Sequence, residues 1–135
     1  MTFNKMFFIV IPVIICVALG VAYYEYNKPV QDVADLKAEP VTAVALFKDF
    51  TSNEPKANIS YLNKALQVSG KVLEVKHNQN EQLQIILDSG DPMFGIACTM
   101  DGSQKNVKPD DQVTIKGICT GYLNDVVIIK SLLLN

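Results

Sequence analysis

The chain has 135 residues, of which 49% are hydrophobic and 19% are charged, and its formal net charge is −2. This length allows one domain at most beside a terminal segment. All 12 basic residues are lysines, so the chain lacks the planar fork with which arginine binds phosphate bidentately. Together with a pI of about 5.3, this composition argues against nucleic acid as the main ligand.

An uncharged apolar run extends from Met6 to Tyr24. This run is within the roughly 17–25 residues that cross a hydrocarbon core, so it predicts a single-pass membrane helix over residues 6–24. Tyr23, Tyr24 and Tyr26 are typical of an interfacial aromatic belt, and no small-residue cleavage site follows, which favours an uncleaved signal anchor over a cleaved signal sequence or a soluble chain. Lys5 and the amino terminus favour the cytoplasmic side, which predicts that the remainder faces the extracytoplasmic, periplasmic space.

Three segments are predicted from the change in composition: a membrane anchor over residues 1–28, a polar linker over 29–40 and a domain over 41–135. Apolar residues at helical spacing predict an amphipathic helix from Val41 to Phe50, with Thr42 as a possible cap. A second helical turn is predicted from Lys56 to Lys64. We expect the apolar residues of both helices to close one end of a barrel; they are Val44, Leu46, Phe47, Phe50, Ala57, Tyr61 and Leu62.

From Ala65 the hydrophobic period changes from helical to two, which predicts five β-strands. The predicted strands are residues 66–77, 82–88, 93–100, a fourth containing Val113 to Cys119, and 125–134. Gly70 lies inside the long first strand, where a glycine commonly permits a bend or bulge. Five such strands favour a small closed barrel, because a barrel leaves no free edge and its interior is filled by side chains.

Four sequence patterns carry a resemblance to a known family. They are Ala57 with Tyr61, the run Val68-Ser69-Gly70-Lys71-Val72, the run Gly95-Ile96-Ala97-Cys98, and the run Asp111-Gln112-Val113-Thr114-Ile115-Lys116-Gly117-Ile118-Cys119-Thr120-Gly121. With these patterns the chain resembles, from about Val41 to Leu134, the tRNA_anti-like family of small bacterial OB-fold proteins, mostly known from Bacteroidetes. The resemblance implies an all-β fold: a five-stranded OB-fold barrel preceded by one or two short helices. It also implies a loose association with nucleic acid, and it brings no catalytic residues.

Cys98 and Cys119 both fall on the inward face of their predicted strands. In an oxidising compartment they would form a disulfide if their Cα atoms lie within about 4.4–6.8 Å of each other. The alternative is two buried, unpaired cysteines that act as small apolar residues. No second cysteine pair or nearby histidine completes a ligand set, so no metal site is predicted.

No catalytic site and no cofactor are predicted. His77 is the only histidine, and it ends a strand beside a polar turn, where a solvated side chain is expected. The carboxylates available for acid–base chemistry lie in turn-like stretches and are typical of turn formers; they are Asp88, Asp91, Asp110 and Asp111. We therefore expect a binding protein and not an enzyme.

Five residues are candidates for a ligand-binding face. An OB-fold's usual ligand face is built by its second and third strands and the loops around them. Near such positions lie two aromatic residues and three lysines; they are Phe94, Tyr122, Lys71, Lys76 and Lys105. The favoured ligand is a protein or another envelope component, and the alternative is single-stranded nucleic acid, which would need exposed aromatic rings for stacking.

Overall fold

The computed structural model describes residues 3–28, 32–102 and 106–134. Helix α1 comprises Phe3–Tyr26, and from Lys5 to Tyr26 it is apolar and exposed along its whole length. Its 24 residues span about 36 Å at 1.5 Å per residue, which is long enough to cross a bilayer. A signal sequence near an amino terminus has the same length and composition, so α1 is compatible with either role.

Residues Asp32–Asn135 form one compact unit. Its regular elements are a short 3₁₀ turn at Val33–Asp35, β1 at Glu39–Thr42, α2 at Ala43–Ser52, α3 at Glu54–Tyr61, β2 at Ala65–His77, β3 at Leu83–Asp88, β4 at Gly95–Met100, β5 at Gln112–Tyr122 and β6 at Val126–Leu133. The unit begins nine residues before the predicted domain start at Val41. Val33 is buried and β1 pairs with β2, so this part of the predicted linker contributes to the fold.

The five predicted strands form a closed barrel in the order β2–β3–β4–β6–β5, and β2 pairs with β5 to close it. The β4–β6 pair is parallel and the other pairs of the barrel are antiparallel. Strand β2 can serve both sides because its first half pairs with β5 and its second half with β3. This topology confirms the predicted OB-fold. Strand β1, which was not predicted, adds a short parallel edge to the first half of β2.

Helix α2 supplies large side chains to the barrel core. Thr42 caps it, as predicted, because its Oγ1 accepts a hydrogen bond from the amide of Ala45 at 3.2 Å. Leu46, Phe47 and Phe50 are buried in the core cluster, as expected for a helix that plugs a barrel end. Val44 was expected on the same buried face but is exposed. The buried stripe instead includes Ala43, one position earlier.

Gly70 lies where β2 passes from pairing with β5 to pairing with β3. A Cβ at this position would lie 2.9 Å from the Cβ of Ala43, so glycine permits α2 to approach β2 closely. The irregularity in the strand falls later, between Val72 and Glu74, where the β2–β3 register shifts. Leu73 lies at this bulge and its side chain is exposed.

The start of β4 also differs from the prediction. The pattern predicted a strand from Met93, whereas β4 begins at Gly95. Asp91 explains the difference, because its Oδ1 accepts hydrogen bonds from the amides of Met93 at 2.8 Å and Phe94 at 3.0 Å. Those two residues therefore belong to the β3–β4 turn and not to the barrel wall.

Candidate binding surface

One row of residues crosses the outside of the barrel from β2 to β5. The strand registers pair neighbours successively, and we call these residues the outer row: Glu74, Ile86, Ala97, Val127 and Gly121. Ile86 and Ala97 are only 9% and 5% exposed, yet neither belongs to the core cluster. The side chains of β3 and β4 alternate between the two faces, so the outer face of the barrel is also apolar here.

A groove of about 160 Å³ lies over the β2–β3 end of the outer row. We call it the turn groove, because it lies beside the β3–β4 turn. Its apolar lining includes Leu73 and Met93, which are 45% and 79% exposed, together with Ile86. Its charged lining residues are Glu74, Lys76, Asp91 and Asp125.

Two carboxylates fix the shape of the turn groove. Asp91 holds the β3–β4 turn through the amides of Met93 and Phe94, as described above. Asp125, in the β5–β6 turn, accepts a hydrogen bond from the amide of Gly95 at 2.8 Å and so connects the two turns. The Ser89 hydroxyl donates to the carbonyl of Phe94 and closes the turn from within. The groove is therefore built from turns with defined hydrogen bonds.

A second groove of about 510 Å³ lies between α3 and the β5–β6 turn, at the other end of the outer row. We call it the helix groove. It contains Leu62, Val127 and Leu123, and Leu123 is 84% exposed. Gly121 contributes bare backbone, and its φ of +138° lies in a region that side chains disfavour, so glycine is required there.

Tyr122 also lines the helix groove, but its ring packs against the barrel plug. The ring stacks on Phe50 with a centroid distance of 5.7 Å and an interplanar angle of 26°. It also meets the edge of Phe47 at 6.0 Å and 80°. A ring engaged in this way contributes to the packing of the core.

The structure brings only some of the predicted site residues together. Lys76 and Phe94 both line the turn groove, whereas Tyr122 lies in the helix groove. Lys71 lines neither groove, and its Nζ forms an ion pair with Asp110 at 3.0 Å. Lys105 lies outside the described residues. Phe94 and Tyr122 are both half-buried and pack on the core.

Sequence reasoning missed the exposed apolar residues that line the two grooves. Leu73, Met93 and Leu123 are the exposed apolar side chains of the two grooves. The available signal was a large apolar residue within a turn sequence, as in Asp91-Pro92-Met93, where the fold itself requires only turn formers.

Cys98 and Cys119 are both fully buried, as predicted, but the structure has them as free thiols. The predicted disulfide is therefore corrected. Both residues lie opposite Ile128 in the sheet, one on each side of β6. Two strand spacings separate their Cα atoms by about 10 Å, which exceeds the span of a disulfide. Burial raises the pKa of the Cys98 thiol to about 12 and also raises that of Cys119.

A third depression, of about 220 Å³, lies between α2 and α3. Tyr61 lines this depression, and its hydroxyl donates a hydrogen bond to Asp49 Oδ2 at 2.6 Å. This hydrogen bond, with burial and the negative charges of Asp49 and Glu39, raises the pKa of Tyr61 to about 12. The phenol therefore stays protonated near neutral pH and joins the two helices.

The acidic residues considered for catalysis are turn formers in the structure. Asp88 Oδ1 accepts from the amide of Gly90 at 2.8 Å, and Asp111 Oδ2 accepts from the amide of Lys108 at 2.9 Å. Among residues 3–28, 32–102 and 106–134, no group of three His, Cys, Asp or Glu side chains is placed to hold a metal ion.

A closed five-stranded barrel with this strand order is that of a small OB-fold protein. The tRNA_anti-like family model matches residues 1–133, and the chain belongs to that family. Among solved structures, the compact fold is similar to that of a proposed nucleic acid-binding lipoprotein from Klebsiella pneumoniae subsp. pneumoniae, with 18% sequence identity and a TM-score of 0.49. That likeness covers 80% of this chain and all of the lipoprotein chain. No curated protein matches the sequence.

Proposed function

We propose that the protein is a non-catalytic binding module of the bacterial envelope, in which an OB-fold barrel binds a protein or another envelope component. The observation that carries this proposal is the groove at each end of the outer row, with exposed apolar side chains beside both grooves. Leu73, Met93 and Leu123 leave apolar area in contact with water beside these grooves, and burying such area on a partner is favourable.

The barrel interior is filled by side chains, which favours a binding site on the outside of the barrel. Its inward positions are occupied by fully buried apolar side chains, and α2 adds Leu46 and Phe50 to them. A barrel of this size has space inside only for its own side chains. A ligand is therefore expected on the outer face and in the turns.

The charges and rings on this face favour a protein over a single-stranded nucleic acid. Lys71 is paired with Asp110, and Lys76 lies 3.8 Å from Glu74, so both lysines have an acidic neighbour. Phe94 and Tyr122 pack on the core. Stacking platforms and unpaired cations are the features on which single-strand binding depends.

The same proposal includes attachment to the membrane through residues 6–24. Support comes from the length and apolar surface of α1 and from the aromatic residues at its carboxyl end. Lys5 precedes the apolar segment, and this placement favours an extracytoplasmic barrel. A carboxyl-terminal reporter active only outside the cytoplasm should therefore be active, and activity of a cytoplasmic reporter alone would reverse the orientation.

A photocrosslinking residue at Met93 tests the binding role in intact cells. We expect ultraviolet light to produce a discrete protein adduct, because this side chain projects from the turn groove. The matched control is the same residue at Ile59, which is also 79% exposed but lines neither groove, and there we expect no discrete adduct. An adduct with nucleic acid at Met93, or no specific adduct at all, would contradict the proposal.

A further inference from the structure

We propose that the turn groove binds an extended segment of a partner protein that carries an apolar side chain beside a lysine or arginine. This inference rests on the proposed function and names the chemistry of the partner. The apolar side chain would lie over Ile86, between Leu73 and Met93. The cationic group would meet the acidic residues at the edge of the groove.

The floor and walls of the turn groove fit one apolar side chain. Ile86 can pack directly on β4 because Gly95 has no side chain: a Cβ there would lie 2.9 Å from Ile86 Cγ2 and 2.6 Å from the carbonyl oxygen of Leu87. Leu73 and Met93 stand at the sides with exposed side chains. A docked apolar group would therefore touch carbon on three sides.

The charge around the groove selects a cation. Three carboxylates line it, from Glu74, Asp91 and Asp125, whereas Lys76 is the only cation among its described lining residues. Asp91 and Asp125 each use Oδ1 for a turn amide. The structure gives no partner, within the described part of the chain, to the other oxygen of either carboxylate. These oxygens can accept from an ammonium or guanidinium group, whereas phosphate would be repelled.

The dimensions of the surface favour an extended segment over a helix. The outer row follows the curved outside of the closed barrel across five strands, and four spacings of about 4.8 Å make a contour of about 19 Å. About six extended residues at 3.3 Å each cover that distance. A straight helix about 10–12 Å wide cannot follow this curvature, whereas an extended segment can bend along it.

Three synthetic peptides of eight residues test this specificity. They alternate leucine with lysine, with serine or with glutamate, so that they share their apolar residues and carry positive, neutral or negative side chains between them. Binding is measured by fluorescence anisotropy to the full-length protein in phosphatidylcholine nanodiscs, and empty nanodiscs provide the background. We expect the leucine–lysine peptide to bind at least about tenfold more tightly than the leucine–glutamate peptide, with the serine peptide between them. Its affinity should fall with added salt.

Variants locate the effect at the turn groove. Glu74→Lys should reduce the preference for lysine over glutamate by about threefold or more, because it reverses one charge at the edge. Met93→Ser should weaken binding of the lysine and serine peptides. The matched controls are Glu81→Lys and Ile59→Ser, which change exposed residues that line neither groove and should leave binding unchanged.

The outcomes separate this inference from the proposed function. Equal affinity for the three peptides, or a preference that Glu74→Lys leaves unchanged, overturns the inference about charge. A Met93 adduct with an acidic protein segment in cells overturns it as well, although the binding role then stands. Absence of any protein adduct at Met93 overturns the binding role itself, whatever the peptides do. An adduct with a segment that contains lysine or arginine beside apolar residues supports both.

Discussion

The inner and outer faces of β3 and β4 are both apolar, but they are closed to water in different ways. Inside the barrel, Ile85 and Leu87 are fully buried because the closed sheet and α2 surround them. Outside, Ile86 and Ala97 are buried among their neighbours on the outer face, while Leu73 remains 45% exposed. The protein itself therefore buries the apolar side chains of the inner face, whereas the outer face still has apolar area that a partner could bury.

This difference separates the residues that stabilise the fold from those available for binding. Burial in the core is already reached in the free protein, so an inner residue contributes to folding whether or not a partner is present. Leu73, Met93 and Leu123 are exposed, so they contribute little to folding. Their apolar area would be buried only when a partner binds. Substitutions matched in residue type can measure the distinction.

Leu87→Ala and Leu73→Ala form such a matched pair, because both remove the same atoms from neighbouring strands. Leu87 is fully buried, so its truncation should lower the free energy of unfolding by about 3 kcal/mol through lost burial and a residual cavity. Leu73→Ala should change it by less than about 0.5 kcal/mol, as is usual for exposed positions.

Urea unfolding of residues 32–135, followed by far-UV circular dichroism, measures both values. Similar losses for the two variants would contradict the division between inner and outer faces. In the peptide assay, Leu73→Ala should weaken peptide binding more than Leu87→Ala does, since only Leu73 lines the turn groove.

The pH dependence of the free energy of unfolding tests whether the Cys98 thiol on the inner face is buried. Burial raises the pKa of Cys98 from its ordinary value of 9.0 to about 12. Below about pH 9 the thiol is protonated in both states, and its contribution to stability is complete. As the pH rises towards 12, only the unfolded chain loses the proton, so this contribution falls by about 1.4 kcal/mol per pH unit.

The variant Cys98→Ala isolates this effect from the titration of the lysines. The stability difference between the wild-type protein and the variant should shrink by about 2 kcal/mol between about pH 8 and pH 10.5. Denaturant unfolding at each pH gives the two free energies. A constant difference over this range would mean that the Cys98 thiol is accessible to water or ionises normally.

The barrel could be predicted from the sequence because its signals are local and periodic. Alternation such as that of Val113, Ile115 and Cys119 specifies strands with one inward face, and five of them leave few closed arrangements. Strand β1 was missed because its four residues follow no such alternation. It is held by its parallel pairing with β2, which is a contact distant in sequence.

The candidate binding surface is harder to predict from sequence, because it depends on which strands become neighbours. Lys76 and Phe94 both line the turn groove, whereas Lys71 lies outside it, since its ion pair with Asp110 forms only when the β4–β5 connection folds against β2. Similarly, the inward direction of Cys98 and Cys119 could be inferred from alternation. Their separation by Ile128 could not, because it requires the order of the strands.

The smallest expected effect on stability concerns Ser131, a polar residue on the inner face. It lies on β6 opposite Met100, directly after the bulge at Lys130, whose φ is +50°. Its hydroxyl is fully buried, and within the described residues it has no hydrogen-bond partner. The space around it is tight, because a Cβ on Gly117 would lie 2.7 Å from the Ser131 Oγ. A buried hydroxyl without a partner costs about 1–3 kcal/mol of desolvation.

Ser131→Ala removes this cost and leaves a void only the size of the lost oxygen. The free energy of unfolding should therefore rise by about 1 kcal/mol, since part of the gain is offset by lost packing. The control is Ser69→Ala on β2, where the hydroxyl is exposed to water and the change should stay within about 0.5 kcal/mol. Urea unfolding of both variants beside the wild-type protein provides the comparison. If Ser131→Ala instead lowers the free energy of unfolding by a similar amount, the hydroxyl makes a hydrogen bond in solution. The polar side chain at this position of the inner face would then stabilise the fold.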